Sequence, residues 1–463
     1  MNRASSSAFL LLAFSTTLAA QSGPAQPQLT LQEAVRYALE HNPDLRSAGA
    51  ETLRRQARVT AARSSLLPQV DVAGDFQRTR LEHGYPPGTP PGLLRFARST
   101  DSASVDTRLL VWDFHKTSLE LAAARERVSA AQALSDRRKQ EVIFEVARLY
   151  LQTLTYQDLL QAAESGRKSL ASLLERTKEL VKAGRAVPVD AFKIQTQIAQ
   201  LDSESASLEA GRQAALSALA AIMAYEGEIP RLAYSPAGSG GPPLPATDEN
   251  KLFEDALSQR PDLKAANLEL KSAADLQRAT RRAYLPRIDF RAMATAYGSE
   301  NPASFASFIG QLLPSLPVPR ISPSAGIADW AVGFHVSMPL FDSGRRAGQV
   351  GEAAAQTELA RLAEEKLRLA VRRELRTSLA ELQAARVRVK SMQEAAKEAE
   401  EILRNERTKY EVGRTVVNFV LEAEAGVLNS QSLLFQARRS EEIALLSLKL
   451  SSGDLDKVSV QGW

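Results

Sequence analysis

Asp329-Trp330-Ala331-Val332-Gly333-Phe334-His335-Val336-Ser337-Met338-Pro339-Leu340-Phe341-Asp342-Ser343-Gly344 is the stretch on which the fold turns. Trp330, Val332, Phe334, Val336, Met338 and Leu340 share one face over 11 residues, while Asp329, His335 and Ser337 fall on the other. Alternation of period two is the signature of a strand whose sheet has unlike faces. Upstream, Ile288, Phe290, Ala292, Ala294 and Ala296 alternate with Asp289, Arg291 and Thr295 in the same way. The two strands are expected at about 287–297 and 329–340. Between them lie Pro302, Pro314, Pro317, Pro319 and Pro323, a loop composition.

The same pair occurs earlier in the chain. Strands are expected at about 69–79 and 102–114, with Asp106 and Arg108 on the polar face and Pro86, Pro87, Pro90 and Pro91 between them. The chain is a duplication: Ala38-Leu39, Pro43-Asp44-Leu45, Leu67-Pro68 and Asp71 recur as Ala256-Leu257, Pro261-Asp262-Leu263, Leu285-Pro286 and Asp289, all offset by 218 (256 − 38 = 289 − 71 = 218). Trp112-Asp113 against Phe341-Asp342, and Gly184-Arg185 with Val187 against Gly413-Arg414 with Val416, recur at an offset of 229. The expected organisation is a signal at 1–20, a first repeat at 21–225, a Pro- and Gly-rich linker at 226–250, a second repeat at 251–450 and a tail at 451–463.

Each repeat opens with a helix, about 31–66 and about 252–284, stopped by Leu67-Pro68 and Leu285-Pro286 because proline lacks a donor and restrains its predecessor. After each strand pair comes a proline-free helical pattern of unusual length, about 116–183 and about 343–412, each extending roughly 100 Å at 1.5 Å per residue. A seam can be counted in the second: Val371, Leu375, Ser378, Leu382, Ala385, Val389, Met392, Ala396, Ala399 and Leu403, spaced by four and three in the manner of a coiled coil. Turns follow at Gly184-Arg185-Ala186-Val187-Pro188 and Gly413-Arg414-Thr415-Val416-Val417, and the chain returns as helices at about 189–224 and 418–450.

Composition closes several function classes. With 44% hydrophobic and 24% charged residues in 463, the chain is a folded protein rather than a disordered one. A formal charge of +4 is too dilute for a nucleic-acid partner. The absence of cysteine removes disulfides, thiolate metal sites and thiol nucleophiles. His41, His83, His115 and His335 are scattered and form no metal-ligand spacing. Gly344-Arg345-Arg346-Ala347-Gly348-Gln349-Val350-Gly351 has neither dinucleotide nor phosphate-loop spacing and reads as a helix start after a strand. No enzyme signature, metal or cofactor is expected. Arg3, the apolar run Ala8 to Phe14 and the small residues Ala19-Ala20 read as a cleaved secretory signal. No later segment has the roughly 20 apolar residues of a spanning helix.

Four amphipathic strands of about 11 residues match the length a tilted strand needs to cross a bilayer, yet four cannot close a barrel. An open edge in lipid leaves backbone groups unpaired at several kcal/mol each, so other copies must complete the wall. Two copies would give a filled barrel of about eight strands, and three give about 12 with an aqueous lumen. The long helices favour the larger count. The expected fold is therefore mostly α with transmembrane β: a trimeric 12-stranded barrel, four strands per copy, continuing into a coiled-coil helical tunnel.

The order of these features resembles the TolC family of outer-membrane efflux proteins. The motifs are Leu29-Thr30-Leu31-Gln32-Glu33-Ala34 with Asn42-Pro43-Asp44-Leu45, Leu67-Pro68, Pro339-Leu340-Phe341-Asp342-Ser343-Gly344, and Tyr410-Glu411-Val412-Gly413-Arg414. The resemblance implies a homotrimeric exit duct in the outer membrane of a Gram-negative bacterium, with a large periplasmic portion. It also implies end-on docking with a periplasmic adaptor and, through it, an inner-membrane pump driven by protons or ATP, in tripartite efflux or type I secretion. On that basis Gly184, Arg185, Val187, Gly413, Arg414 and Val416 are candidate adaptor contacts. Asp190, Arg414 and Glu422 are candidates for the periplasmic gate. Two departures stand out: Phe419 occupies one position of the family's carboxylate ring, and Arg414 lies one residue earlier than the relatives' gate arginine. A solvated carboxylate near a helix start is the competing reading of Asp190 and Glu422. The rival to the whole assignment is a soluble periplasmic coiled-coil scaffold or adaptor, which would have no use for strands with a fully apolar face.

Overall fold

The structure, a computed structural model, describes residues 28–81, 96–227, 229–233, 249–298 and 328–455. The signal at 1–20, both strand-to-strand loops, most of the linker and the end of the tail lie outside these residues. Within them the helices are α1 (Leu31–His41), α2 (Pro43–Ser64), α3 (Lys116–Lys182), α4 (Pro188–Met223), α5 (Glu249–Gln259), α6 (Pro261–Arg281), α7 (Arg345–Glu411) and α8 (Val417–Ser452). The strands are β1 (Gln69–Leu81), β2 (Phe96–Trp112), β3 (Arg287–Gly298) and β4 (Ala328–Ser337).

The opening helix of each repeat is two helices, not the single one expected. Asn42 ends α1 and caps α2: its Oδ1 accepts from the N–H groups of Asp44 at 2.9 Å and Leu45 at 3.2 Å, and Pro43 takes the first helical position. Proline suits that position, where no intrahelical donor is needed, and forces a new helix to begin there. Arg260 and Pro261 make the equivalent break between α5 and α6. Each breaking residue also plugs the end of a return helix. Asn42 Nδ2 donates to the carbonyl of Ile222 at 2.7 Å, and Arg260 Nη1 donates to that of Ser451 at 2.9 Å. The Leu29–Ala34 motif is a capping box, in which Glu33 N–H donates to Thr30 Oγ1 and Thr30 N–H to Glu33 Oε2.

The strands form one antiparallel sheet in the order β1-β2-β3-β4, so the two hairpins meet where β2 of one repeat pairs with β3 of the other. Partners across an antiparallel ladder share a face. Val72, Val105, Ala294 and Trp330 therefore line up on one side, and Asp71, Asp106, Met293 and Ala331 on the other. Strand bounds differ from expectation chiefly in the first hairpin, where β1 runs on to Leu81, and at the ends of β2 and β4. β2 begins at Phe96, because the hairpin with β1 continues to Leu81; it stops at Trp112, because Phe114 and His115 have positive φ. β4 stops at Ser337, ahead of Pro339, which has no N–H for a ladder.

After each sheet segment an aspartate starts the long helix. Asp113 accepts from the Thr117 N–H at 2.8 Å, and Asp342 accepts from Arg346 Nε at 2.6 Å. From there α3 and α7 run for 67 residues each, and α4 and α8 return for 36 each. All ten residues of the counted seam on α7 are buried or half-buried. The largest cluster gathers Val142, Val146, Leu154, Leu219 and Leu446 around α3, with α1 laid against it. There Leu29 and Leu232 form a parallel bridge, and the Tyr150 hydroxyl donates to the Ala233 carbonyl at 2.9 Å.

Candidate functional site

Two regions carry the functional geometry, and the first is the sheet. Trp330 is 77% and Phe334 72% exposed, and Val70, Val72, Phe76, Val332 and Val336 are exposed beside them. Among the described residues no helix covers this apolar face. The outer edges of β1 and β4 have no neighbouring strand among the described residues. The opposite face carries Asp71, Asp75, Asp106, Arg108, Asp289, Arg291 and His335. An apolar outside, a polar inside and two unpaired edges are the attributes of a barrel segment.

The second region is the pair of hairpin tips. Gly184 has φ +70° and Gly413 φ +74°, the left-handed conformation that costs glycine little. Both helices end in the same capping motif. Arg185 N–H donates to the Leu180 carbonyl and Arg414 N–H to the Lys409 carbonyl, each at 2.8 Å, with Gly184 and Gly413 N–H reaching Val181 and Tyr410. The return helices follow Val187 and Val416, extended residues without a side-chain cap. Arg185 and Arg414 are exposed and, among the described residues, make no side-chain hydrogen bond or ion pair. Val187, Val189 and Phe192 on one tip, with Val412, Val416 and Phe419 on the other, are all more than half exposed.

A single copy does not bring the three gate candidates together. Asp190 lies at the start of α4, 3.7 Å from Lys193, and Arg414 is not its partner. Glu422 is exposed one turn into α8. Other polar residues fasten the tips to one another. Tyr410, on α7, is buried with Ile194 and Val420, and its hydroxyl lies 3.1 Å from Thr177 Oγ1 on α3. Burial pushes this phenol above its ordinary value and keeps it neutral. Glu424, on α8, is buried, ion-pairs with Arg407 on α7 and accepts from Ser169 Oγ on α3 at 2.9 Å. Tyr410 stood inside a quoted motif, but an aromatic in the last turn of a helix gives no sign of which partner it meets. Glu424 sat on a helix rich in polar residues and carried no distinguishing signal.

Higher on the hairpins, Arg439 of α8 is 2% exposed and donates to Asp158 of α3, which is 1% exposed, and to Glu442 at 3.0 Å. These joints link the second repeat to α3 of the first. The described architecture thus has a sheet built to be completed by others and helical hairpins fixed within the copy.

Comparison with known proteins agrees with this geometry. The sequence matches the family described as outer membrane efflux protein over residues 34–224 and 252–454. It is similar to the outer membrane efflux protein BepC of Brucella suis, 24% identical over 95% of this chain and 89% of the relative. It is also similar to the outer membrane protein TolC of Vibrio cholerae, 21% identical over 93% of this chain and 92% of the relative. Among solved structures, the CusC channel superposes with a TM-score of 0.77 at 17% identity, covering 94% of this chain and 95% of that one. The outer membrane protein VceC of Vibrio cholerae gives 0.73 at 19% identity, covering 91% and 96%. With the match spanning both repeats, the chain belongs to the outer membrane efflux protein family and is an outer-membrane exit duct with a periplasmic helical tunnel.

Proposed function

We propose that three copies close one duct, in which edge β4 of each copy pairs with edge β1 of the next. Three sheets of four strands make a barrel of 12, wide enough for an aqueous lumen. The observation that carries this reading is the sheet, with an uncovered apolar face and two unpaired edges. In hydrocarbon such edges are tolerated only when they are paired. Conduction through the duct is passive. The energy comes from an inner-membrane pump that a periplasmic adaptor joins to the tips, with Gly184, Arg185, Val187, Gly413, Arg414 and Val416 as the contact surface. The exposed valines and arginines of both tips offer apolar area and positive charge for that contact.

The test is extraction and assembly. The protein should require detergent and run as a trimer on gels until heated. A monomer stable in plain buffer would leave the scaffold reading in its place. Asp190, Arg414 and Glu422 are proposed to line the periplasmic gate. Glu422→Gln should alter cation passage through reconstituted trimers, and unchanged conductance and selectivity would remove Glu422 from the gate. Charge reversal at both Arg185 and Arg414 should abolish co-purification with the adaptor while leaving the trimer intact.

A further inference from the structure

At the base of the sheet, Arg108 of β2 and Arg291 of β3 stand directly opposite one another across the ladder. Both are exposed, and among the described residues neither has an ion pair. Like charges in this position oppose pairing of the strands. The nearest carboxylates on that face, Asp71 and Asp106, occupy the next rung and bond to neither arginine. One rung lower, Asp289 is buried and taken up by Arg287 at 2.9 Å.

Arg108 also lines a cavity of about 460 Å³ where the polar face meets the helices. Three further cations line it: Lys116, Arg282 and Arg287. The lining carboxylates are Asp113, occupied by Thr117, and Glu120, 3.8 Å from Lys116. Four cations stand against these two carboxylates and Asp289, which holds Arg287, so the site carries +1 before Arg291 is counted. Every sheet residue of the lining (Gln69, Arg108, Leu110, Arg287 and Ser337) belongs to the polar face or its downward continuation. The cavity therefore opens on the inner side of the wall.

We propose that this cavity is an oxyanion site on the conduction path, taking the phosphate, sulfate or carboxylate group of a solute as it passes from tunnel to barrel. The inference rests on the trimeric-duct reading, under which the polar face lines the lumen and the site is repeated three times around it. Guanidinium groups hold oxyanions through paired N–H donors, and an arginine free of a protein carboxylate keeps those donors available. The mutual repulsion of Arg108 and Arg291 is relieved when an anion sits between them.

The test is equilibrium binding of inorganic phosphate to the detergent-solubilised trimer, which needs no open gate. Wild type should bind saturably. Arg108→Gln with Arg291→Gln should weaken binding by at least about tenfold, the equivalent of one charge-assisted hydrogen bond. Arg404→Gln, an exposed change on α7, should leave it unaltered. If the double variant does not assemble, Arg108→Gln alone is held to the same standard. In bilayers under a potassium chloride gradient, the double variant should shift the reversal potential toward cations. Absence of saturable phosphate binding by wild type, or binding by the variant equal to wild type, overturns the site. Failure of the duct reading shows separately, as a soluble monomer.

Discussion

The two repeats build hairpins of the same length but put different chemistry at equivalent places. Through the hairpins they run in step, since 345 − 116 and 452 − 223 both equal 229. At that offset Arg439 stands where the first repeat has Ala210, and Tyr410 where it has Val181. At the offset of 218, Arg260 stands where the first repeat has Asn42. In each case the second repeat carries the longer polar side chain. Arg439 and Tyr410 both reach α3 of the first repeat, meeting Asp158 and Thr177. Apolar seams hold a hairpin together but tolerate sliding of one hairpin on another, whereas a directional polar contact fixes one position. The hypothesis is that the copies diverged at the contacts that set how one hairpin sits on the other.

Arg439 should give the largest effect. Asp158 Oδ1 already has no hydrogen-bond partner among the described residues, so Arg439→Ala leaves a buried carboxylate uncompensated. The expected loss is about 3–5 kcal/mol, read from the urea midpoint of the helical signal in detergent. Replacing both Asp158 and Arg439 by leucine should cost less than Arg439→Ala alone, because only Glu442, and no longer Asp158 as well, then loses the arginine. A single variant as stable as wild type would break the comparison at its strongest point.

The joints come next. Arg260 is 1% exposed and binds Asp262, Glu374 and the Ser451 carbonyl. Arg260→Ala should cost about 2–3 kcal/mol, and Asn42→Ala, which removes a cap and one long-range bond, about 1–2 kcal/mol. Equal losses would mean that the buried cation adds nothing over the amide.

Acid should separate the same two joints. Burial pushes the Asp262 carboxyl up, but the hydrogen bond and charge of Arg260, helped by Arg137, outweigh it and hold the group below the ordinary range. A depressed folded value means that its contribution is complete above the unfolded carboxylate value and is lost as pH falls through the folded one. Asn42 does not titrate. Below about pH 4, hydrogen exchange in α6, corrected for its intrinsic pH dependence, should accelerate relative to α2. Parallel behaviour would show that Asp262 is not coupled to folding.

Much of this was legible in the sequence, for identifiable reasons. Strands announced themselves because their faces differ in polarity. Hairpin tips did so because Gly184 and Gly413 each follow 67 helical residues without a proline. The duplication supplied a second reading of every element. The breaks at Asn42 and Arg260 were hidden because Pro43 and Pro261 served as repeat markers, while their role as first residues of new helices went unread. Cross-repeat pairs such as Arg439 with Asp158 are 281 residues apart, and neither residue falls in a repeated motif. The cationic cavity was invisible for a related reason, because Arg108 and Arg291 become neighbours only once the two repeats share a sheet.

Tyr410 gives the smallest and most specific test. Its ring fills the core between the tips, and its hydroxyl meets Thr177, which is fully buried. Tyr410→Phe keeps the ring and removes the hydroxyl, which should cost about 1 kcal/mol. Thr177→Val should cost a similar amount, since either change strands the other partner. If the bond joins the hairpins, the double variant loses less than the sum of the two, with a coupling of about 0.5–1 kcal/mol. Val181, the counterpart of Tyr410, has no hydroxyl, so the first hairpin has no equivalent bond to substitute. Strict additivity would reduce Tyr410 to a space-filling ring and leave Glu424, through Ser169 and Arg407, as the polar joint between the tips.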